Sequence, residues 1–366
     1  MRSVMICRCG LVVAILSGLV APVMGQQQSA TPPGQTDSAA RQPSGNDMPM
    51  GPPRSSPPPQ TTQGQTTRDQ TTPAKSASGA QDTGNVDQGS FVFKKQVEEV
   101  VLHATVVDDD QRLVAHLDRS AFSVFEDGRP QTITSFRRED VPVEIGVVID
   151  NSGSMRDKRE KVNEAVLNLI RASNPSDEVF VVNFSAKSYL DQDFTSDIHL
   201  LERALHQTTM QGSTALYDAV VASARHLESN SRLEKKVLLL ITDGQDNMSE
   251  ETLQEATREL QRPNGPVLYA IGLTGGEMQA QGRDALEELA RATGGAAFFP
   301  AGLDQVEDVT RSLAHDIRNQ YIIAYRPQDA DMGAGYHPIQ VEAREAGFGK
   351  LTVRTRSGVY TGESVR

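Results

Sequence analysis

The chain has 366 residues, 37% hydrophobic and 5% aromatic, with no Trp, two Cys and a formal net charge of −12. That length accommodates one or two cores, and the acidic balance excludes the basic face a nucleic-acid binder normally presents. All eleven Phe and all seven Tyr lie at or beyond Phe91, so the first quarter has no aromatic residue with which to build a core.

Residues 1–25 read as a secretory signal peptide. Arg2 and Arg8 form a positive start, 11–20 is an apolar run too short for the roughly 20 residues of a bilayer span, and Val23-Met24-Gly25 precedes Gln26. If cleavage falls there, Cys7 and Cys9 leave and disulfides, thiol catalysis and thiolate metal sites are excluded from the mature chain; the alternative is that the segment stays uncleaved as an anchor. Residues 26–90 are rich in Pro, Gln, Thr, Ser and Gly and read as a disordered linker, because such a composition buries too little to offset the entropy of ordering. The expected location is outside the cell or in the periplasm or envelope, with no membrane span once the signal is removed.

Order is expected from residue 91. Short extended runs at 97–107, 122–125 and 133–136, with turns at Asp108-Asp-Asp-Gln111 and Glu126-Asp-Gly-Arg-Pro130, predict the N-terminal part of a β-domain over 91–140. The acidic turn lacks the Gly and terminal Glu of an EF-hand loop and reads as solvated. Residues 141–318 then alternate strand and helix. The nearly continuous apolar run VEIGVVID (143–150) is the pattern of a parallel strand covered on both faces, and Val162, Ala165, Val166, Leu169 and Ile170 line one helical face. Strands follow at 178–185, 236–242, 267–273 and 296–299. Helices follow at 198–205, 215–227, 250–261 (Ser249 as N-cap), 284–292 and 303–318. The expected fold is α/β, a doubly wound, mostly parallel, Rossmann-like sheet. Strands at 320–326, 337–344 and 350–356 make 319–366 a β-rich C-terminal part. It is expected to pack with 91–140 as a small β-sandwich domain, since each flank alone has few strands with which to bury a face.

The chemistry sits at strand ends. Asp150-Asn-Ser152-Gly-Ser154 ends the first α/β strand, Thr214 precedes a helix, and Thr242-Asp243-Gly244 ends the strand KVLLLIT. In open α/β sheets the loops beyond the carboxyl ends of strands converge on a ligand crevice. Carboxylate and hydroxyl oxygens without imidazole or thiolate select a hard divalent cation, magnesium first, with manganese or calcium as alternatives. An ion held largely by neutral hydroxyls stays electrophilic and favours an anionic further ligand, which is binding chemistry rather than turnover chemistry.

Together, DxSxS, the later Thr and the strand-ending Thr-Asp-Gly resemble the metal-ion-dependent adhesion site of von Willebrand factor type A domains. The stretches FSVFEDGRPQTITSF, VPVEIGVVIDNSGSM, STALYDAV, ITDGQDN, QYIIAYRP and LTVRTRSGVY are similar to those of the bacterial acidobacterial-type branch of that family. The resemblance spans about residues 95–362, with Ser213 standing where a second Gly is usual. It implies a metal site of Asp150, Ser152, Ser154, Thr214 and Asp243, and a secreted or envelope adhesion-type module whose protein partner presents an Asp or Glu carboxylate. Its oligomeric state is left open.

Two other classes compete. A scaffold whose metal only stabilises the domain uses the same residues. A magnesium-dependent phosphoryl-transfer enzyme needs a general acid two residues after Asp150, where Ser152 stands, so no catalytic residue is assigned and the chain is read as a non-enzyme. His103, His116, His199, His206, His226, His315 and His337 contain no HExxH pair and read mostly as exposed. Arg156, Lys158, Arg159 and Lys161 open the first helix against its dipole and read as a solvated face, and Tyr217 reads as a core or rim aromatic.

Overall fold

The computed structural model describes residues 99–138, 140–206, 212–273, 280–328 and 333–362. The expected signal peptide (1–25) and linker (26–90), with both cysteines, lie outside them. In chain order come β1 (Val100–Val107), β2 (Phe122–Glu126), β3 (Arg129–Gln131), β4 (Ile133–Arg137) and β5 (Val143–Asp150). Next are α1 (Arg159–Arg171), β6 (Glu178–Phe184), β7 (Ser188–Thr195), α2 (Ile198–His206), α3 (Leu216–Asn230), β8 (Lys235–Thr242) and α4 (Leu253–Leu260). The remainder is β9 (Val267–Gly272), α5 (Ala280–Thr293), β10 (Ala297–Phe298), α6 (Val306–Arg318), β11 (Tyr321–Tyr325), β12 (Gly335–Ala343), β13 (Thr352–Arg354) and β14 (Gly358–Thr361).

The central sheet runs β10-β9-β8-β5-β6-β7 and is parallel except for β7, which is antiparallel to β6. Its apolar strands feed two cores because alternate side chains point to opposite faces. Ile145, Val147, Ile149, Leu239 and Ile241 meet α1, α2 and α6, whereas Val148, Phe180, Leu238 and Leu240 meet α3, α4 and α5. Gly146 is required for this packing: a Cβ there would collide with the Phe180 ring and the Leu238 side chain. The chain passes from β5 outward to β6 and β7, then returns to β8 on the other side of β5. The carboxyl ends of β5 and β8 therefore flank the topological switch point, where α/β sheets open a crevice.

The flanks contribute two antiparallel sheets, β13-β1-β11-β4 and β14-β12-β2-β3, each containing strands from both ends of the described chain. Leu102, Val106, Val124, Ile323, Ile339, Val341 and Val359 share the core between them. Two buried tyrosine hydroxyls there are satisfied: Tyr321 Oη donates to Val114 O at 2.9 Å, and Tyr325 Oη donates to Glu126 Oε1 at 2.8 Å. The Asp127-Gly128 hairpin loop has φ of 50° and 74°, the positive pair that two-residue hairpins require. Asp108 caps its own turn, with Oδ1 accepting from the Asp110 and Arg112 amides at 2.9 Å each, and Arg112 pairs with its carboxylate. These sheets abut the α/β region. Gln320 Nε2 donates to Tyr269 Oη at 3.0 Å, and the buried Arg356 guanidinium, pushed down to about 10 by burial, donates to Arg262 O and Gly265 O.

One strand is additional to the expected elements, and two local expectations are corrected. Residues 188–195 form the edge strand β7, unmarked by the apolar run expected of a covered strand; its Tyr189 and Leu190 are about half exposed. Helix α4 begins at Leu253 rather than 250, because Thr252 and Glu255 form a reciprocal capping box (3.2 and 2.8 Å), while Ser249 donates to Asp246 Oδ1. The extended run at 350–356 is the shorter β13, and a separate strand, β14, follows it. No helix among the described residues is long and apolar enough to cross a membrane.

Candidate metal centre

Asp150 ends β5 with its carboxylate fully buried. Oδ1 accepts from the Ser152 amide at 2.7 Å and Oδ2 from Thr242 Oγ1, the last residue of β8, at 2.6 Å. A short 3-10 turn, Gly153–Met155, follows, anchored by the buried Met155. It brings Ser152 Oγ and Ser154 Oγ within 3.1 Å, and Ser154 Oγ donates to Asp243 Oδ1 at 2.8 Å. Asp150, Ser152, Ser154 and Asp243 are thus linked across the two strand ends. Thr214 stands beside them: its Oγ1 would be 3.6 Å from a Cβ placed on Gly244. Asp150, Ser152, Thr214 and Asp243 are buried and Ser154 is exposed, so the cluster opens to solvent at Ser154.

Residues not singled out from sequence hold the cluster. The Thr214 amide donates to Asn247 Oδ1 at 2.9 Å and its carbonyl accepts from the Asn247 amide at 3.0 Å. Helix α3 has Ala215 at its N-cap position, with no side-chain cap of its own. Asp246 serves instead, Oδ1 accepting from the Leu216 amide at 2.8 Å and from Ser249 Oγ at 2.5 Å. The signal was present: Asp, Asn and Ser clustered after a strand are the residues that cap neighbouring amides. Tyr217 packs partly buried against the core under α3.

The basic group divides. Arg156 is exposed and Lys161 pairs with Glu164 at the surface, as a solvated face requires. Lys158 instead turns inward, its Nζ 2.5 Å from Asp243 Oδ2 and its side chain only 14% exposed. Arg159 is buried, donating to Asn183 Oδ1 and, at 3.4 Å each, to Asp150 O and Leu205 O. Burial pushes its guanidinium down to about 10, against the opposing charges of Asp150 and Asp191. Burial likewise raises the Asp150 carboxyl above its ordinary value; bonds from Thr242 and Ser152 oppose that rise and the Asp243 charge adds to it. Of the histidines, His116, His199, His206 and His315 are exposed, while His103, His226 and His337 are partly buried.

Among the described residues no three His, Cys, Asp or Glu side chains gather as a metal-binding group. The donor set here is of another kind, two carboxylates interleaved with hydroxyls, and all its atoms are hard oxygens. The Lys158 ammonium against Asp243 shows that this carboxylate attracts positive charge. The residues therefore fit a hard divalent ion, and such an ion would supply Lewis acidity toward an anionic ligand.

The profile of the von Willebrand factor type A domain family matches residues 145–245, which contain all five of these positions. Residues 145–245 form a von Willebrand factor type A domain. Solved structures similar to this chain include a von Willebrand factor type A protein from Catenulispora acidiphila, at 14% identity over 74% of this chain and 76% of that one, with a TM-score of 0.43. The BatB protein of Bacteroides thetaiotaomicron is 18% identical over 48% of this chain and 97% of its own, with a TM-score of 0.39. A proximal thread matrix protein from mussel byssus, solved with a zinc-occupied MIDAS motif, is 20% identical over 52% of this chain, with a TM-score of 0.41. The chain spans 49% of that mussel protein's length. No curated protein matches the sequence.

Proposed function

We propose that this chain is a metal-dependent protein-binding module of the cell envelope or exterior, in which Asp150, Ser152, Ser154, Thr214 and Asp243 hold one divalent cation, magnesium first. The ion accepts a carboxylate from an Asp or Glu of the partner protein. The observation that carries the reading is the hydrogen-bonded series Ser152, Ser154, Asp243 at the switch point, with Asp150 fixed beside it by Ser152 and Thr242. Three of the five ligand side chains are neutral hydroxyls, and the exposed Ser154 side gives an incoming carboxylate a path. Location outside the cytoplasm rests on the signal-like 1–25.

Binding is favoured over phosphoryl transfer because the nucleophile of such an enzyme must be reachable and paired with a nearby acid. Asp150 is fully buried with both oxygens engaged, and Ser152 occupies the acid's position. The test is a magnesium-dependent pull-down from envelope extracts with the full chain and with Asp150→Ala. Capture of an identified partner, lost with chelator and with the variant, supports the reading. A metal that raises the melting temperature while capture stays the same would instead make the ion a structural one in a scaffold.

A further inference from the structure

Lys158 presents the strongest unexplained arrangement. Its backbone amide is tied to Met155 O at 3.0 Å, directly behind the turn that presents Ser152 and Ser154. Its ammonium reaches Asp243 Oδ2 at 2.5 Å while Ser154 takes Oδ1, so both oxygens of Asp243 are engaged, one of them by a positive charge. The pair is nearly solvent-free, with side-chain exposures of 14% and 0%. Screening is weak there, and a charge that close to the proposed ligands bears on anything that binds them.

We propose that Lys158 is a built-in counter-cation of the metal centre: it weakens divalent-ion binding by sharing Asp243, and in return keeps the loaded site cationic enough to hold a carboxylate. This rests on the metal-site reading above. With the Arg159 guanidinium balanced by Asp191, whose charge also acts on it, two carboxylates and one ammonium leave a single net negative charge at the cluster. A divalent ion then makes it a single net positive charge, whereas the same ion without the ammonium leaves a neutral site. Lys158 thus sets the site's preference for an anionic ligand. A unit and a double positive charge about 5 Å apart, even in a water-like medium, repel enough to change a binding constant about tenfold. A merely structural ion pair predicts the opposite sign, because loss of Lys158 would then loosen Asp243 and weaken the metal.

The test uses the full chain, Mn2+ as the metal probe and acetate as the carboxylate probe, with Mn2+ affinity read by electron paramagnetic resonance and acetate binding by loss of ion-bound water in proton relaxation. Lys158→Met should bind Mn2+ about tenfold tighter or more, and its Mn2+-loaded form should hold acetate more weakly than wild type. Lys158→Arg, which keeps the charge, should stay near wild type in both. Equal or weaker Mn2+ binding by Lys158→Met overturns the proposal while leaving the metal site standing; no Mn2+ binding by wild type or variant overturns the site reading itself. Without metal, Lys158→Met should lower the melting temperature, and Asp243→Asn should abolish that difference. If Lys158→Met does not fold, Lys158→Gln is carried through the same titrations and decides on the same signs.

Discussion

Asp246 caps α3, the helix that starts on the Thr214 side of the centre. Its Oδ1 accepts the Leu216 amide, a longer contact from the Tyr217 amide at 3.4 Å, and the Ser249 hydroxyl, in place of the cap that Ala215 cannot supply. Replacing a capping side chain by Ala costs about 0.5–2 kcal/mol, and hydrogen bonds to a charged acceptor contribute about 1.5–3 kcal/mol. Asp246→Ala is therefore expected to destabilise the fold by about 2 kcal/mol. At about 2–4 °C per kcal/mol for a domain of this size, the melting temperature should fall by about 4–8 °C. Scanning calorimetry in chelator measures this without any contribution from metal. Because Thr214 immediately precedes Ala215, the N-cap residue of the helix, the same variant should also weaken Mn2+ binding, although Asp246 is not a proposed ligand. Ser249→Ala removes one donor to Asp246 and should cost less than half as much. A melting temperature for Asp246→Ala within about 1 °C of wild type, or a larger loss for Ser249→Ala, would refute the capping argument.

Gly146→Ala places a Cβ against Phe180 and Leu238 in the central sheet and should destabilise by about 1–3 kcal/mol, with partial recovery in Gly146→Ala/Phe180→Leu; an unchanged denaturation midpoint would contradict that packing. His337 donates through Nδ1 to Asp127 Oδ2 at 2.9 Å and through Nε2 to Gly333 O at 3.0 Å, an arrangement that favours imidazolium and raises its pKa above the ordinary value near 6.5, the Asp127 bond contributing most. A raised folded-state pKa gives stability that is fully present below about 6.5 and lost as pH rises through the folded value. The stability gap between wild type and His337→Gln should accordingly be larger at pH 5.5 than at pH 8.5, as urea melts at the two pH values will read; a gap that widens with pH would reverse the assignment.

What the sequence made legible was whatever depends on short-range pattern. β5, β6, β8 and β9 are apolar on both faces, so their runs announce covered parallel strands, and the strand-end positions of Asp150 and Asp243 follow from them. β7 gave no such sign because an edge strand packs on one side only, and its exposed Asp193 is what an open edge carries to avoid further pairing. The cap of α4 was legible but misread: Thr252 stands three residues before Glu255, the capping-box spacing, whereas Ser249 has Thr252 at that distance. Lys158 could not have been separated from its basic neighbours. Four cations within six residues look alike until the turn at 153–155 and the start of α1 decide that 158 and 159 point inward and 156 and 161 outward. Asp246 stood in a cluster of capping residue types, but which amide it caps is set 30 residues away in sequence and so was not legible.

The charge distribution makes a kinetic demand on the proposed function. Removing the two arginines of 1–25 and the four bases and five acids of 26–90 leaves −13 on residues 91–366. An acidic partner approaching this surface meets net repulsion at long range and attraction only at the loaded centre, where the ion and Lys158 together outweigh Asp150 and Asp243. Salt acts differently on the two. Beyond a Debye length of about 8–10 Å at physiological ionic strength the repulsion is screened, while contact with a buried, coordinated ion is screened much less. The association rate with an acidic partner should therefore rise with added salt, with the dissociation rate changing little, the reverse of ordinary electrostatic steering. Stopped-flow mixing at several concentrations of a salt whose ions do not coordinate the metal distinguishes the cases. An association rate that falls with salt would mean that the partner meets a positive surface, and that the negative charge of this region lies elsewhere than around its metal centre.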